Sequence, residues 1–403
     1  MDISILSLRS QDEAEALMKE IGADPGGIKI MSPKTVANLA RINRLPIFAA
    51  NILKQESLSL GADTAVSKEA LTGKAKWTDC LIIGNLAHFS RLCAKLKKQP
   101  CGLNKVADEL RCAISNYQRN NFILESGRYK LNLNSHTHIM GIINMTPDSF
   151  SGDGLLQDMP AGQAGDVVEY AQRLVNEGAD ILDIGGESSR PGAKQISVKE
   201  ELQRVIPAVK KITKKIKVPV SIDTYKSEVA RQALDNGAAI VNDISALGAD
   251  PRMAKLIRKH KALVVLMHMK GKPRNMQRSP RYPNLMEEII RHLSRAITAA
   301  CDAGIDFEKI IVDPGIGFGK ALEHNLKIIK SLDQLKALGR PVLVGTSRKS
   351  FIGKITQKPA AERLSGSISS NCLCVLNGAR ILRVHDVKET KQALLVLDKI
   401  LKC

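Results

Sequence analysis

The sequence predicts an α/β protein: a (β/α)8 TIM barrel over about residues 138–403, preceded by a small α/β domain. Two observations predict the barrel. From residue 138 onward, short apolar runs alternate with longer amphipathic stretches, eight times over about 265 residues. Each apolar run also ends on a polar or polarisable residue, as expected where strands deliver chemistry to one face of a closed barrel. An open doubly wound sheet would have fewer strands and a Gly-rich turn after the first one. A third observation sets the domain border: the first 131 residues show no such repeat.

The chain carries 60 Lys+Arg against 41 Asp+Glu, a formal charge of +19. Residues 1–138 hold +6 of it and the remainder +13. Such a balance suits anionic partners, including small phosphorylated ligands. A basic solvated surface explains it equally well. Nucleic acid is disfavoured, because aromatic residues make up only 3% of the chain and stacking platforms are scarce. The eight cysteines include no C-x-x-C pair, and Cys372 and Cys374 read as buried thiols. The N-terminal stretch is too acidic for a signal peptide, and no run reaches the ~20 apolar residues of a membrane span. A cytoplasmic protein with no membrane partner is expected.

In the first domain, residues 12–20 read as an amphipathic helix broken by Gly22, Pro25, Gly26 and Gly27. Residues 28–31 read as a strand, and Ser32-Pro33 as a helix start. Residues 80–83 form a second strand, residues 86–98 and 106–117 two helices, and residues 122–133 a hairpin turning at Glu125-Ser126-Gly127. We place this domain at 1–131, a polar linker at 132–137 and the barrel at 138–403. No polar residues of the first domain converge on a recognisable chemistry, and its role is unassigned.

The eight barrel strands read as 139–144, 181–186, 220–224, 240–244, 263–268, 310–313, 342–346 and 381–385. The helical patterns between and after them cover 164–177, 198–215, 226–235, 251–259, 285–303, 322–338, 360–376 and 387–401. Gly178 and Gly237 fall just past two of these helices. The strand ends present, in order, Asn144; Asp183, with Glu187, Ser188, Ser189 and Arg190 after it; Asp223; Asn242 and Asp243; Met267 and His268; Asp313; Ser347, Arg348 and Lys349; then Arg383, His385 and Asp386. A single member such as Asp243 fits a helix cap equally well. The whole set does not.

The inventory has two halves. Asp223, Asn242 and Asp313 suit a flat heterocycle rich in N–H groups, which a carboxylate grips through paired bonds. Arg383, His385, Asn144 and Arg190 seek anions, and a guanidinium fork matches phosphate oxygens. Lys349 bridges the halves. The stretch DPGIGFGK (313–320) is neither a phosphate loop nor a dinucleotide fingerprint, because Pro314 and Lys320 stand where each needs glycine. Its glycines would allow backbone to approach a flat ligand, with Phe318 able to pack on it; a purely structural βα turn is the alternative.

The motifs IMGIINMTPDSFSGDG, DIGGESSRPGA, VSIDTYK, IVNDIS, VDPGIGFGK, VGTSRKSFIGK and RVHDV, in this order, resemble the dihydropteroate synthase family. The resemblance runs from Ile139 to the C-terminus. It implies a transferase of folate biosynthesis that condenses a dihydropterin methyl diphosphate with 4-aminobenzoate. It further implies that Asp223, Asn242, Asp313 and Lys349 hold the pterin, with Met267 and Phe318 beside it. Arg383 and His385 would bind diphosphate, and Asn144 would ligate a Mg2+ cofactor. Ser189, Arg190 and Pro191 would form a second loop that orders the aminobenzoate. Lys349, Arg383, His385 and Asp223 would carry the catalysis. The first loop commonly reads SDGG; here it reads Ser151-Gly152-Asp153-Gly154, so Asp153, a further metal-ligand candidate, is displaced by one place. A homodimer through helices near the C-terminus is a family expectation. A corrinoid methyltransferase with a pterin-binding barrel would have no need of SSRPG, GTSRK or RVHDV. A basic nucleic-acid-binding protein would have no need of the anion-seeking half.

Overall fold

Eight apolar runs become eight parallel strands in the computed structural model, which describes residues 3–8, 10–145, 167–188, 194–271, 276–277 and 280–401. The chain divides into two units, Met1–Gln118 and Arg119–Cys403.

The first unit has a three-stranded antiparallel sheet, in the order β1 (Ala37–Pro46), β3 (Trp77–Asn85), β2 (Asp63–Val66). Its helices are α1 (Gln11–Glu20), α2 (Pro25–Met31), α3 (Ile47–Leu58), α4 (Lys68–Leu71), α5 (Leu86–Leu96) and α6 (Leu103–Gln118). Leu53, Ile82, Phe89, Leu92, Leu96 and Leu103 fill its core. Two expectations fail here. Residues 28–31 belong to helix α2 rather than a strand, because Asp24 accepts from the Gly26 and Gly27 N–H groups and Pro25 opens the first turn. The helix expected at Ser32-Pro33 is one 3-10 turn, after which the chain enters β1. That strand was hidden because it is polar on one face and bulged, with Arg44 at φ +54°.

The second unit begins with the hairpin β4 (Ile123–Ser126) and β5 (Tyr129–Asn132). The barrel strands are β6 (His138–Asn144), β7 (Ile181–Gly185), β8 (Val220–Asp223), β9 (Ile240–Asp243), β10 (Leu263–Met267), β11 (Ile310–Asp313), β12 (Val342–Val344) and β13 (Ala379–Val384). They close in sequence order, with β13 pairing β6. Around them run α7 (Val167–Asn176), α8 (Val198–Lys215), α9 (Ser227–Asp235), α10 (Met253–His260), α11 (Leu285–Asp302), α12 (Leu322–Lys330), α13 (Ser350–Thr356), α14 (Leu364–Leu376) and α15 (Val387–Ile400). Ser197 and Asn284 cap α8 and α11 through the N–H groups of Glu200 and Glu287. Gly178 and Gly237 take the expected left-handed conformation after their helices.

Alternation along each strand separates two cores. Outward residues such as Leu182, Ile222, Val241, Leu266, Val312 and Leu382 pack under the helices. The other parity faces the lumen. At its N-terminal end Met140, Ile181, Ile240, Leu263, Ile311, Leu343 and Ile381 join Phe122, Leu124, Leu131 and Leu133 of the hairpin segment. The hairpin therefore plugs the barrel floor, and the unit border lies at 118/119 rather than at 131/132. Residues 132–137 are not a free linker either. Thr137 binds Asp398 through its N–H and hydroxyl, each at 3.3 Å.

Candidate active site

One layer above the apolar floor, the same inward parity carries charge. Arg383 of β13 donates from Nε to Asp183 Oδ2 at 2.6 Å and from Nη2 to Asp223 Oδ2 at 2.7 Å. Asn242 Nδ2 donates to the same Asp183 oxygen at 3.2 Å. Each of these bonds joins strands that are not neighbours in the sheet, β13 to β7, β13 to β8 and β9 to β7, so the bonds cross the lumen. Two carboxylates share one guanidinium here. Burial and the adjacent Asp183 charge therefore raise the Asp223 pKa, although Arg383 opposes the rise. For Arg383, burial works against the charge, but Asp183 and Asp223 more than offset it and raise its pKa.

Asp313 ends β11 and accepts from the Gly315 N–H at 2.6 Å. Burial pushes its pKa up to about 6, against the pull of that N–H group and of Lys349. Lys349 leaves the end of β12 with its Nζ 4.5 Å from the centre of the Phe318 ring. Burial and the nearby Arg383 lower its pKa to about 8, while Asp313 and Asp223 act the other way. The loop after β11 needs its glycines. A Cβ at Gly315, φ +69°, would stand 2.0 Å from the His268 carbonyl oxygen, and one at Gly319, φ +64°, 2.2 Å from that of Lys270.

Sequence reasoning left two residues without roles. Asp183 is fully buried and ties Arg383 to Asn242. Its inward parity, in step with Ile181 and Gly185, was the available signal. Lys320 was noted only for breaking a glycine motif. It is buried, and its ammonium meets His268 Nδ1 at 3.0 Å, the His268 carbonyl at 3.2 Å and the Phe318 carbonyl at 3.0 Å. Burial brings its pKa down to about 7, and Asp313 counteracts. Burial and the Lys320 charge push the His268 pKa down to about 2, so His268 is a neutral acceptor. This contact clamps the end of β10 to the Phe318 loop.

The sequence grouped Arg383 with the anion-seeking residues. In this structure both donating nitrogens of its fork are held by carboxylates of the heterocycle-binding half. His385 lies nearer the rim, its Nδ1 3.0 Å from Ser347 Oγ. Arg348 turns aside to an ion pair with Asp386, so of the two cations in GTSRKS only Lys349 joins the Phe318 face. Asp243 accepts from Ser245 N–H and Oγ and from Leu247 N–H, which makes it a loop cap. Asn144 is exposed at the end of β6, and Met267 is buried beside Phe318. Glu187 is gripped by the Tyr225 hydroxyl at 2.7 Å and Lys226 Nζ at 2.5 Å, which fixes the root of the second loop. Asp153, Ser189, Arg190 and Pro191 lie outside the described residues.

A closed barrel with paired carboxylates, an amide, a lysine and an arginine at its C-terminal mouth defines a class. The chain belongs to the pterin-binding enzymes, whose family model matches residues 140–385. It is 44% identical over 267 residues to the dihydropteroate synthase of Escherichia coli K12, covering 66% of this chain and 93% of that one. Within the class it is a member of the dihydropteroate synthase family of transferases. The solved dihydropteroate synthase of Xanthomonas albilineans with 4-aminobenzoic acid superimposes with a TM-score of 0.65 at 40% identity, over 70% of this chain and all of that one. A probable bifunctional folylpolyglutamate synthase/dihydropteroate synthase of Halobacterium salinarum is 36% identical over 392 residues, spanning 96% of this chain and 46% of its own length. The similarity to that relative therefore extends over the first unit as well.

Proposed function

We propose that the chain condenses (7,8-dihydropterin-6-yl)methyl diphosphate with 4-aminobenzoate to give 7,8-dihydropteroate and diphosphate, by an ionisation-type displacement. The observation that carries the reading is the lumenal layer of Asp183, Asp223, Asn242, Asp313, Lys349 and Arg383 above an apolar floor. Asp223 and Asp313 would accept ring N–H bonds, Asn242 would fix the ring plane, and Lys349 would meet a ring carbonyl. Phe318 and Met267 would cover the apolar faces.

In the reacting complex the CH2–O bond breaks with its electron pair leaving on diphosphate. The cation spreads over the dihydropterin ring, where Asp223 and Asp313 favour it. The aromatic amine then attacks the methylene carbon and loses a proton to water or departing diphosphate. No covalent enzyme intermediate is required, and the residues work by charge stabilisation and positioning. Arg383 and His385 would receive the diphosphate. Ser189, Arg190 and Pro191 would order the aminobenzoate.

A Mg2+ ion fits the rim, because Asn144 offers one exposed hard oxygen and Mg2+ usually takes one or two protein oxygens together with substrate phosphates. Asp153 is a second candidate ligand. When bound, the ion would neutralise charge on the leaving diphosphate.

A homodimer is the second part of the proposal. Leu373 and Leu376 of α14 and Leu395, Val396 and Ile400 of α15 are exposed apolar residues of the kind such an interface buries. No helix among the described residues is long and apolar enough to cross a membrane, and the seven described cysteines are free thiols, which supports a cytoplasmic setting. Diphosphate release by the full chain, with and without 4-aminobenzoate, tests the activity. Release must depend on the amine; an amine-independent or absent signal would overturn it.

A further inference from the structure

We propose that His136, His138 and Asp180 form a site for one divalent transition-metal ion, Zn2+ by donor set, at the floor end of the barrel. The site is separate from the mouth. His138 opens β6 and Asn144 closes it, and six steps of an extended strand place the two about 20 Å apart.

His136 lies in the bend that leads into β6, and His138 is the first residue of that strand; two apart in sequence, their rings come to the same side. Asp180 precedes β7, the neighbour of β6, and its N–H donates to the Ile139 carbonyl at 2.8 Å. The three candidate ligand atoms lie within 4.8 Å of one another. The imidazoles stack with centroids 4.3 Å apart and planes 8° from parallel.

The remaining polar atoms already have the partners that metal ligands need around them. His138 Nδ1 lies 3.1 Å from the His136 carbonyl, which only accepts, so that nitrogen carries the proton and Nε2 keeps the lone pair. Asp180 Oδ2 accepts from the Ile139 N–H at 2.9 Å, leaving Oδ1. His136 Nε2 meets Asp180 Oδ1 at 2.9 Å, and His136 Nδ1 meets Ser135 Oγ at 2.9 Å. A metal at Nε2 moves the His136 proton to Nδ1, where the Ser135 hydroxyl, whose own proton goes to the Asn132 carbonyl at 2.8 Å, accepts it.

Tetrahedral Zn2+ with bonds of about 2.0–2.1 Å spaces its ligands by about 3.3 Å. The His136–Asp180 pair is already within that span, so any closure falls on the His138 side and is at most about 1.5 Å. His136 is partly exposed and gives the ion and a fourth, water ligand access.

The test strips the full chain with chelator and titrates it with ZnCl2 against a chromogenic competitor. The expected result is one equivalent of Zn2+ in the micromolar range or tighter, with a higher unfolding midpoint. His136→Gln and His138→Gln should each lose that equivalent and the midpoint rise while condensation with Mg2+ stays at the wild-type rate. Zinc held by the exposed thiols of Cys101 or Cys112 would be the same in wild type and variants, so the readout is the difference between them. Should His138→Gln fail to fold, the partly exposed His136→Gln still decides. An equivalent retained in the variants, or none bound by the wild type, overturns the proposal.

Discussion

The two ends of the barrel use the same strands and the same inward parity for opposite purposes. On β7, β9 and β13 the floor residues Ile181, Ile240 and Ile381 are followed two places on by Asp183, Asn242 and Arg383. The floor is closed by a hairpin whose apolar side chains join those of the strands in one cluster. The mouth holds two carboxylates on one guanidinium, an arrangement that costs stability unless something rigid lies beneath it. The difference teaches that this barrel's chemistry rests on an apolar plug supplied from outside the β/α repeat.

Removing the plug gives the largest expected effect. Phe122, Leu124, Leu131 and Leu133 each contribute about 1.5–3 kcal/mol by burial, together comparable to the ~5–15 kcal/mol stability of a whole domain. A chain beginning at Ser135 should therefore fail to fold, whereas one beginning at Arg119 should fold and condense. Circular dichroism and thermal melts decide, and a cooperative melt from the shorter chain would break the comparison. Next comes Arg383→Ala at the mouth. Turnover should drop by about 10²–10³-fold. The fold should persist, because protonation relieves the repulsion between Asp183 and Asp223; a near-normal kcat would remove Arg383 from the machinery.

A smaller effect is expected from Lys320→Met, which loosens the loop bearing Phe318 from the end of β10. We expect about a tenfold fall in kcat/KM, mostly through KM for the pterin substrate. A kcat-only change would refute the positioning role. The smallest effect is on pH dependence. Asp313 must be ionised, which favours pH above about 6, and Lys349 must be protonated, which favours pH below about 8. The kcat/KM profile should be a bell between those limbs. Lys349→Arg should move the alkaline limb upward; a limb that stays put assigns it to another group.

The sequence made the strand ends legible because short apolar runs stop where a polar residue begins. Asp223, Asn242, Asp313 and Arg383 were all found that way. It hid the partnerships. Asp183 meets Arg383 only because barrel closure brings β7 and β13 to either side of β6. The floor was missed for a related reason: Leu124 and Leu131 alternate like any hairpin, and nothing local shows which core receives them. Strand β1 was missed because its bulge and polar face weaken the alternation on which a reading depends.

With Arg383 and Asp223 in the roles proposed above, the shared guanidinium would also set an order of events. A diphosphate arriving alone must compete with Asp183 and Asp223 for Arg383, and these carboxylates are already in place. A pterin ring that offers Asp223 its own N–H groups releases one arm of the fork toward the tail of the same molecule. The pocket thus checks the head of its substrate before it rewards the tail. By the reciprocity of coupled binding, a pterin without a diphosphate should raise the affinity for free diphosphate, and free diphosphate should raise the affinity for that pterin by the same factor.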